Sequence, residues 1–177
     1  MRAHGHEYGA DPALAFVAGS SAGGHLSALA ALTPNDPASQ PGFEDADTSV
    51  TAAISLYGYY GHYYGHSADD RPATSPLAYV RPDAPPFFVA HGDRDKYPGT
   101  SVETARRFVE KLRSASSDSV VYAELPGGHH GFDFFHSLRF EAVIDGIEAF
   151  AAWVRSRQER SPSRSATRCW PPRSGSS

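Results

Sequence analysis

Hydrophobic positions along the chain fall into four short runs and three helical stripes, separated by turns rich in Gly, Pro and Asp. The runs cover residues 15–18, 50–57, 87–90 and 120–125. Each reads as a strand, and the run 50–57, apolar and bounded by turn residues, as one buried on both faces of a parallel sheet. After the first run, Leu26, Leu29, Ala30 and Leu32 continue a helix that Thr33-Pro34-Asn35-Asp36-Pro37 stops. After the third, Thr100 and Glu103 read as a T-x-x-E capping box. The helix behind them places Val102, Ala105, Phe108, Val109 and Leu112 on one face. After the fourth, Phe140, Val143, Ile144, Ile147, Phe150, Ala151 and Val154 recur at helical spacing, and residues 1–8 read as the end of a helix. The alternation of strands and helices predicts an α/β fold. It is a mainly parallel sheet of about four strands, flanked by helices and joined by right-handed crossovers.

One segment interrupts the alternation. Residues 57–66 hold five tyrosines and three glycines, a composition that suits neither a regular strand nor a helix. With the Asp- and Pro-containing stretch that follows, it reads as a cap-like excursion over about 57–80, with Tyr57, Tyr59 and Tyr60 as substrate-pocket candidates. The alternative is a tyrosine-rich packing loop, since aromatics supply much of ordinary core burial. His62 and His66 have a spacing that grips metal on a helix, but the intervening glycines argue against a helix, and no metal site is expected.

Bulk properties narrow the class. A chain of 177 residues with 40% hydrophobic content reads as one domain with a real core. No apolar run approaches the ~20 residues needed to cross a bilayer, and the N-terminus lacks the apolar stretch of a secretory signal. The single cysteine, Cys169, excludes a disulfide framework and any multi-cysteine metal site. A cytoplasmic chain is expected. The net charge is −4, yet residues 155–177 carry six arginines against one glutamate, so the rest of the chain is strongly acidic. Nucleic acid is therefore not an expected partner of the domain. The domain is expected over residues 1–156, and the Ser-, Arg- and Pro-rich stretch 157–177 as a disordered basic tail. The oligomeric state is not readable.

The chemistry centres on Gly19-Ser20-Ser21-Ala22-Gly23, a G-x-S-x-G turn between the first strand and its helix. Such a turn presents a strained serine, and the amides that open the helix face a developing oxyanion. In an α/β sheet ligands sit at the carboxyl ends of the strands. Ser21 follows the first strand, Asp95 the third and His130 the fourth, the chain order Ser…Asp…His of α/β-hydrolases. The roles follow from the chemistry. Ser21 attacks an acyl carbon, His130 takes and returns the proton, and Asp95 orients the imidazole. Asp93 competes with Asp95 for the acid, and His129 with His130 for the base.

Together, Gly19-Ser20-Ser21-Ala22-Gly23-Gly24-His25-Leu26, His91-Gly92-Asp93-Arg94-Asp95 and His130-Gly131-Phe132 resemble the hormone-sensitive-lipase-like esterases of the α/β-hydrolase superfamily. The resemblance spans about residues 5–156. It implies a serine hydrolase of carboxylic esters with short to medium acyl chains, needing no cofactor and acting on a small-molecule substrate. It prefers Asp95 over Asp93 and His130 over His129. It makes the Ala22 amide an oxyanion donor and adds Ser20 and Phe132 to the pocket candidates. The family's upstream H-G-G-G loop has no counterpart here, since His4-Gly5-His6 lies too close to the elbow. The resemblance therefore covers the C-terminal half to two-thirds of a complete hydrolase, and an impaired oxyanion hole is expected. A non-catalytic fragment of the fold and a peptidase with the same triad are the competing expectations.

Overall fold

In the computed structural model, the described residues are 2–63, 66, 67, 69 and 74–160. Four strands, β1 (Phe16–Ser20), β2 (Ala52–Leu56), β3 (Phe87–Gly92) and β4 (Val120–Leu125), form one sheet in the order β1-β2-β3-β4 with every pair parallel. Helices α1 (Ala22–Leu32), α2 (Val102–Ala115) and α3 (Leu138–Arg160) lie between and after them. Helices α1 and α2 cover one face of the sheet and α3, which follows β4, covers the other, so β2 and β3 are buried at every position.

Alternate strand residues feed two cores. Ala53, Phe87 and Val89 pack with Ala28, Ala31 and Leu32 of α1 and Phe108, Val109 and Leu112 of α2. Ala52, Ile54, Leu56, Phe88 and Ala90 pack with Val143, Phe150 and Val154 of α3. The apolar stripe expected on α2 is buried in full, whereas Ile144 of α3 and Leu26 of α1 are exposed. In α1 the buried face is instead Gly24, His25, Ser27, Ala28, Ala31 and Leu32.

Close approach explains Gly24. A Cβ there would stand 2.6 Å from the Leu56 carbonyl oxygen and 3.1 Å from Gly58 Cα, backbone atoms that have nowhere to move. Gly→Ala inside a helix ordinarily stabilises it by up to about 1 kcal/mol. At Gly24 the sign should reverse, with Gly24→Ala costing about 1–3 kcal/mol through overpacking, measurable as a lower urea midpoint.

The helix expected at the N-terminus is a 3₁₀ helix, Arg2–Tyr8. Two expectations change. Helix α2 starts one residue later than a Thr100 cap requires: its N-cap is Ser101, with no side-chain cap bond. Thr100 is fully buried and its hydroxyl is bonded elsewhere, as described below. Helix α3 runs to Arg160, so residues 157–160 are helical rather than tail; the rest of the expected tail, 161–177, and residues 64, 65, 68 and 70–73 of the excursion lie outside the described residues. No helix among the described residues is long and apolar enough to cross a membrane.

Candidate active site

Ser21 sits where β1 turns into α1, with φ 54° and ψ −117°. A non-glycine residue at positive φ is strained and persists only where its surroundings hold it. Here its N–H donates to the Leu56 carbonyl of β2 at 2.9 Å, and its carbonyl accepts from the His25 N–H at 3.1 Å. A serine at a helix N-cap ordinarily turns its hydroxyl onto the first-turn amides. Ser21 makes no such bond. Its hydroxyl points across the sheet to His130 Nε2 at 2.8 Å. The Ala22, Gly23 and Gly24 amides precede the first intrahelical bond and, with the dipole of α1, face the same end of the sheet.

His130 lies on the loop after β4. Its Nδ1–H donates to Asp95 Oδ2 at 2.8 Å, so Ser21, His130 and Asp95 form one continuous run. Asp95 lies on the loop after β3, and its side chain is fully buried. Burial alone would raise its carboxyl. The imidazoles of His91 and His130, the Tyr97 amide and the Thr100 hydroxyl outweigh that and hold it down, to about 2. A carboxylate held below its ordinary value of 3.8 stabilises the fold in full above about pH 4 and loses that contribution as the pH falls toward 2. Denaturation curves between pH 2 and 5 should therefore be less steeply pH-dependent in Asp95→Asn than in the wild-type chain.

The rivals are set apart. Asp93 accepts the Gly127 N–H at 2.7 Å and so fastens the loop after β4 to the loop after β3. His129 is exposed. The pocket candidates divide as well. Tyr57 is fully buried and meets the His130 ring edge-on at 4.7 Å and Phe132 at 4.9 Å. Its hydroxyl donates to Asp133 on the His130 loop, and burial together with that carboxylate pushes the phenol well above its ordinary range. Tyr57 is therefore a brace under the histidine rather than a pocket wall. Tyr60 is a correction. It is fully buried, stacks on Phe108 at 4.5 Å and shares a hydrogen bond with the Ser55 hydroxyl, so it has no surface to offer a substrate. Tyr59 is nearly buried, and its carbonyl accepts from His25 Nδ1 at 2.8 Å. That bond, to a histidine whose imidazole burial pushes down, fastens the tyrosine-rich excursion to the elbow helix. Ser20 and Phe132 remain partly exposed.

Residues not read from the sequence as site residues complete the surroundings. Thr100 Oγ1 donates to Asp95 Oδ1 at 2.9 Å and lies 3.3 Å from His130 Nδ1. His91, fully buried at the end of β3, donates from Nε2 to the Thr100 carbonyl at 2.7 Å and lies 3.3 Å from Asp95 Oδ2. Tyr97 donates its N–H to Asp95 Oδ1 at 2.9 Å and stacks on His130. A histidine ending a wholly apolar run was the one signal available for this group. No cluster of His, Cys, Asp or Glu suited to a metal occurs among the described residues. A cavity of about 490 Å³, lined by Ala13, Thr51, Pro86, Asp118 and Arg157 among others, opens at the opposite end of the strands, remote from Ser21.

Comparison with known proteins finds esterases. The chain is 43% identical over 180 residues to the probable carboxylic ester hydrolase LipM of Mycobacterium tuberculosis, covering 89% of this chain and 41% of that protein. It is 41% identical to esterase LipQ of the same organism, covering 86% of this chain and 41% of the relative. The apo form of Thermogutta terrifontis esterase 2 superposes with a TM-score of 0.74 at 25% identity, over 86% of this chain and 60% of that structure. The chain has an α/β-hydrolase fold. The BD-FAE family matches residues 1–62, the part that includes the elbow. The esterase names uphold the resemblance to hormone-sensitive-lipase-like esterases. The chain spans less than half the length of the curated relatives it matches.

Proposed function

We propose that the chain cleaves carboxylic esters through an acyl-enzyme on Ser21. The observation that carries the reading is the unbroken hydrogen-bonded run from the strained Ser21 through His130 to the buried Asp95. In acylation a bond forms between Ser21 Oγ and the acyl carbon, the carbonyl π pair moves to oxygen, and the Oγ proton passes to His130 Nε2. Collapse of the tetrahedral adduct expels the alkoxide, which leaves as the alcohol with that proton. Water then repeats the sequence and releases the acid. Asp95 keeps the His130 proton on Nδ1 and stabilises the imidazolium. The Ala22 amide donates to the oxyanion, assisted by the positive end of α1. No cofactor takes part. Ser20 and Phe132 flank the acyl group, and the substrates are small esters of short to medium acyl chain, in keeping with relatives named as esterases.

The test is active-site labelling with a fluorophosphonate, followed by turnover of p-nitrophenyl acetate and butyrate beside a panel of peptide p-nitroanilides. Labelling and ester turnover without peptide cleavage are expected. A folded chain that neither labels nor turns over ester is a non-catalytic form of the fold and overturns the reading. Peptide cleavage at comparable rates favours a peptidase instead.

A further inference from the structure

Tyr97 is held in a way that its position does not require. It lies on the surface loop after β3 and is 52% exposed, yet its backbone is fastened on both sides. Its N–H donates to Asp95 Oδ1 at 2.9 Å, and its carbonyl accepts from the Thr100 N–H at 3.1 Å. These bonds aim the ring. It lies flat against the His130 imidazole, centroid to centroid 4.5 Å with 17° between the planes. On its other contacts the imidazole meets the edge of Tyr57 at 72°. The base is thus gripped by a face and an edge, while its two nitrogens are bonded to Ser21 and Asp95.

We propose that Tyr97 is a positioning residue for the general base, and that its π face favours the positively charged form of His130. The inference rests on the triad reading above. As Ser21 Oγ bonds to the acyl carbon, its proton passes to Nε2 and the ring acquires a full positive charge. A cation close to an aromatic face is attracted by the ring quadrupole, the more so as water is excluded. The neutral ring of the resting state gains less from that face. The interaction therefore strengthens on the way to the transition state, the condition for raising kcat rather than merely lowering KM. The ring also limits rotation of an imidazole that must keep Nε2 on Ser21 and Nδ1 on Asp95 at once.

The quadrupole account makes the electron density of the ring, not its bulk, the controlling variable. Position 97 is varied through Tyr97→Phe, Tyr97→Leu and replacement by pentafluorophenylalanine, in the full chain. The readouts are the phosphonylation rate of Ser21 by a p-nitrophenyl alkylphosphonate, and kcat and KM for p-nitrophenyl butyrate. Tyr97→Phe should stay within about twofold of wild type. Pentafluorophenylalanine and leucine should each lower phosphonylation and kcat about three- to thirtyfold with KM little changed. Pentafluorophenylalanine matching phenylalanine overturns the inference, because shape alone then suffices. So does a change confined to KM, which makes Tyr97 a substrate contact. A wild-type chain that does not label at Ser21 removes the triad reading and this inference together, whereas Ser21-dependent labelling indifferent to position 97 removes this inference alone.

Discussion

Ser21→Ala should lose fluorophosphonate labelling completely and lower ester turnover by about 10⁴–10⁶-fold. The reasoning starts from the backbone. The positive φ of Ser21 lifts its hydroxyl off the N-terminus of α1, where a serine would otherwise cap, and aims it at His130. Removing the oxygen leaves the fold its two anchoring bonds, Ser21 N–H to Leu56 and His25 N–H to the Ser21 carbonyl. The thermal midpoint should accordingly move little while turnover collapses. The residual rate would measure what the Ala22 amide and the helix dipole do without a nucleophile. Labelling that survives Ser21→Ala would place the reactive group elsewhere and sink the assignment.

The second large effect separates two neighbouring aspartates. Asp95→Asn should lower kcat by about 10⁴-fold, because an amide in that place stabilises the wrong imidazole tautomer and no imidazolium. Asp93→Asn should leave kcat within several-fold, since Asp93 accepts one backbone N–H and does not touch His130. Asparagine keeps a carbonyl oxygen that can accept that bond. Measured side by side with p-nitrophenyl butyrate, equal losses in the two variants would mean that the acid has been misassigned. The burial of the Asp95 side chain and the three donors bonded to it account for the asymmetry.

Much of this was legible in the chain because it depends on local pattern. β4 spans the expected residues 120–125, since turn residues bound it at both ends. The stripe on α2 is buried as the 3.6-residue period requires. The strand–turn–helix context of Ser21 and the order of the reactive residues were equally visible. What failed depends on where side chains meet after folding. The T-x-x-E pattern at Thr100 is a valid capping signal, but a buried carboxylate five residues earlier competes for the same hydroxyl. The tyrosine-rich excursion offered Tyr57, Tyr59 and Tyr60 as equivalents, and the structure gives each a different task. Tyr57, at φ 37°, leaves the end of β2 toward His130. Tyr60 turns into the core beside Phe108. Tyr97 carried no sequence signal, because stacking across two loops has no period. The end of α3 was set too early, since an Arg- and Ser-rich stretch looks like tail although Arg155 and Glu159 stand on one face of a helix.

Ser21 and His130 come from opposite margins of the sheet. The serine leaves β1 and the histidine loop leaves β4, with β2 and β3 lying between them. Neighbouring strands are ≈ 4.8 Å apart, so the two elements start roughly 14 Å from each other before the loops close the distance. On the proposed mechanism, reactivity at Ser21 is consequently a coincidence detector for the whole sheet. A molecule that keeps β1 and α1 but lets β4 slip by one residue keeps its elbow and loses its base. Such a half-formed chain would carry an inert hydroxyl, so the chemistry stays silent until the last strand has docked in register.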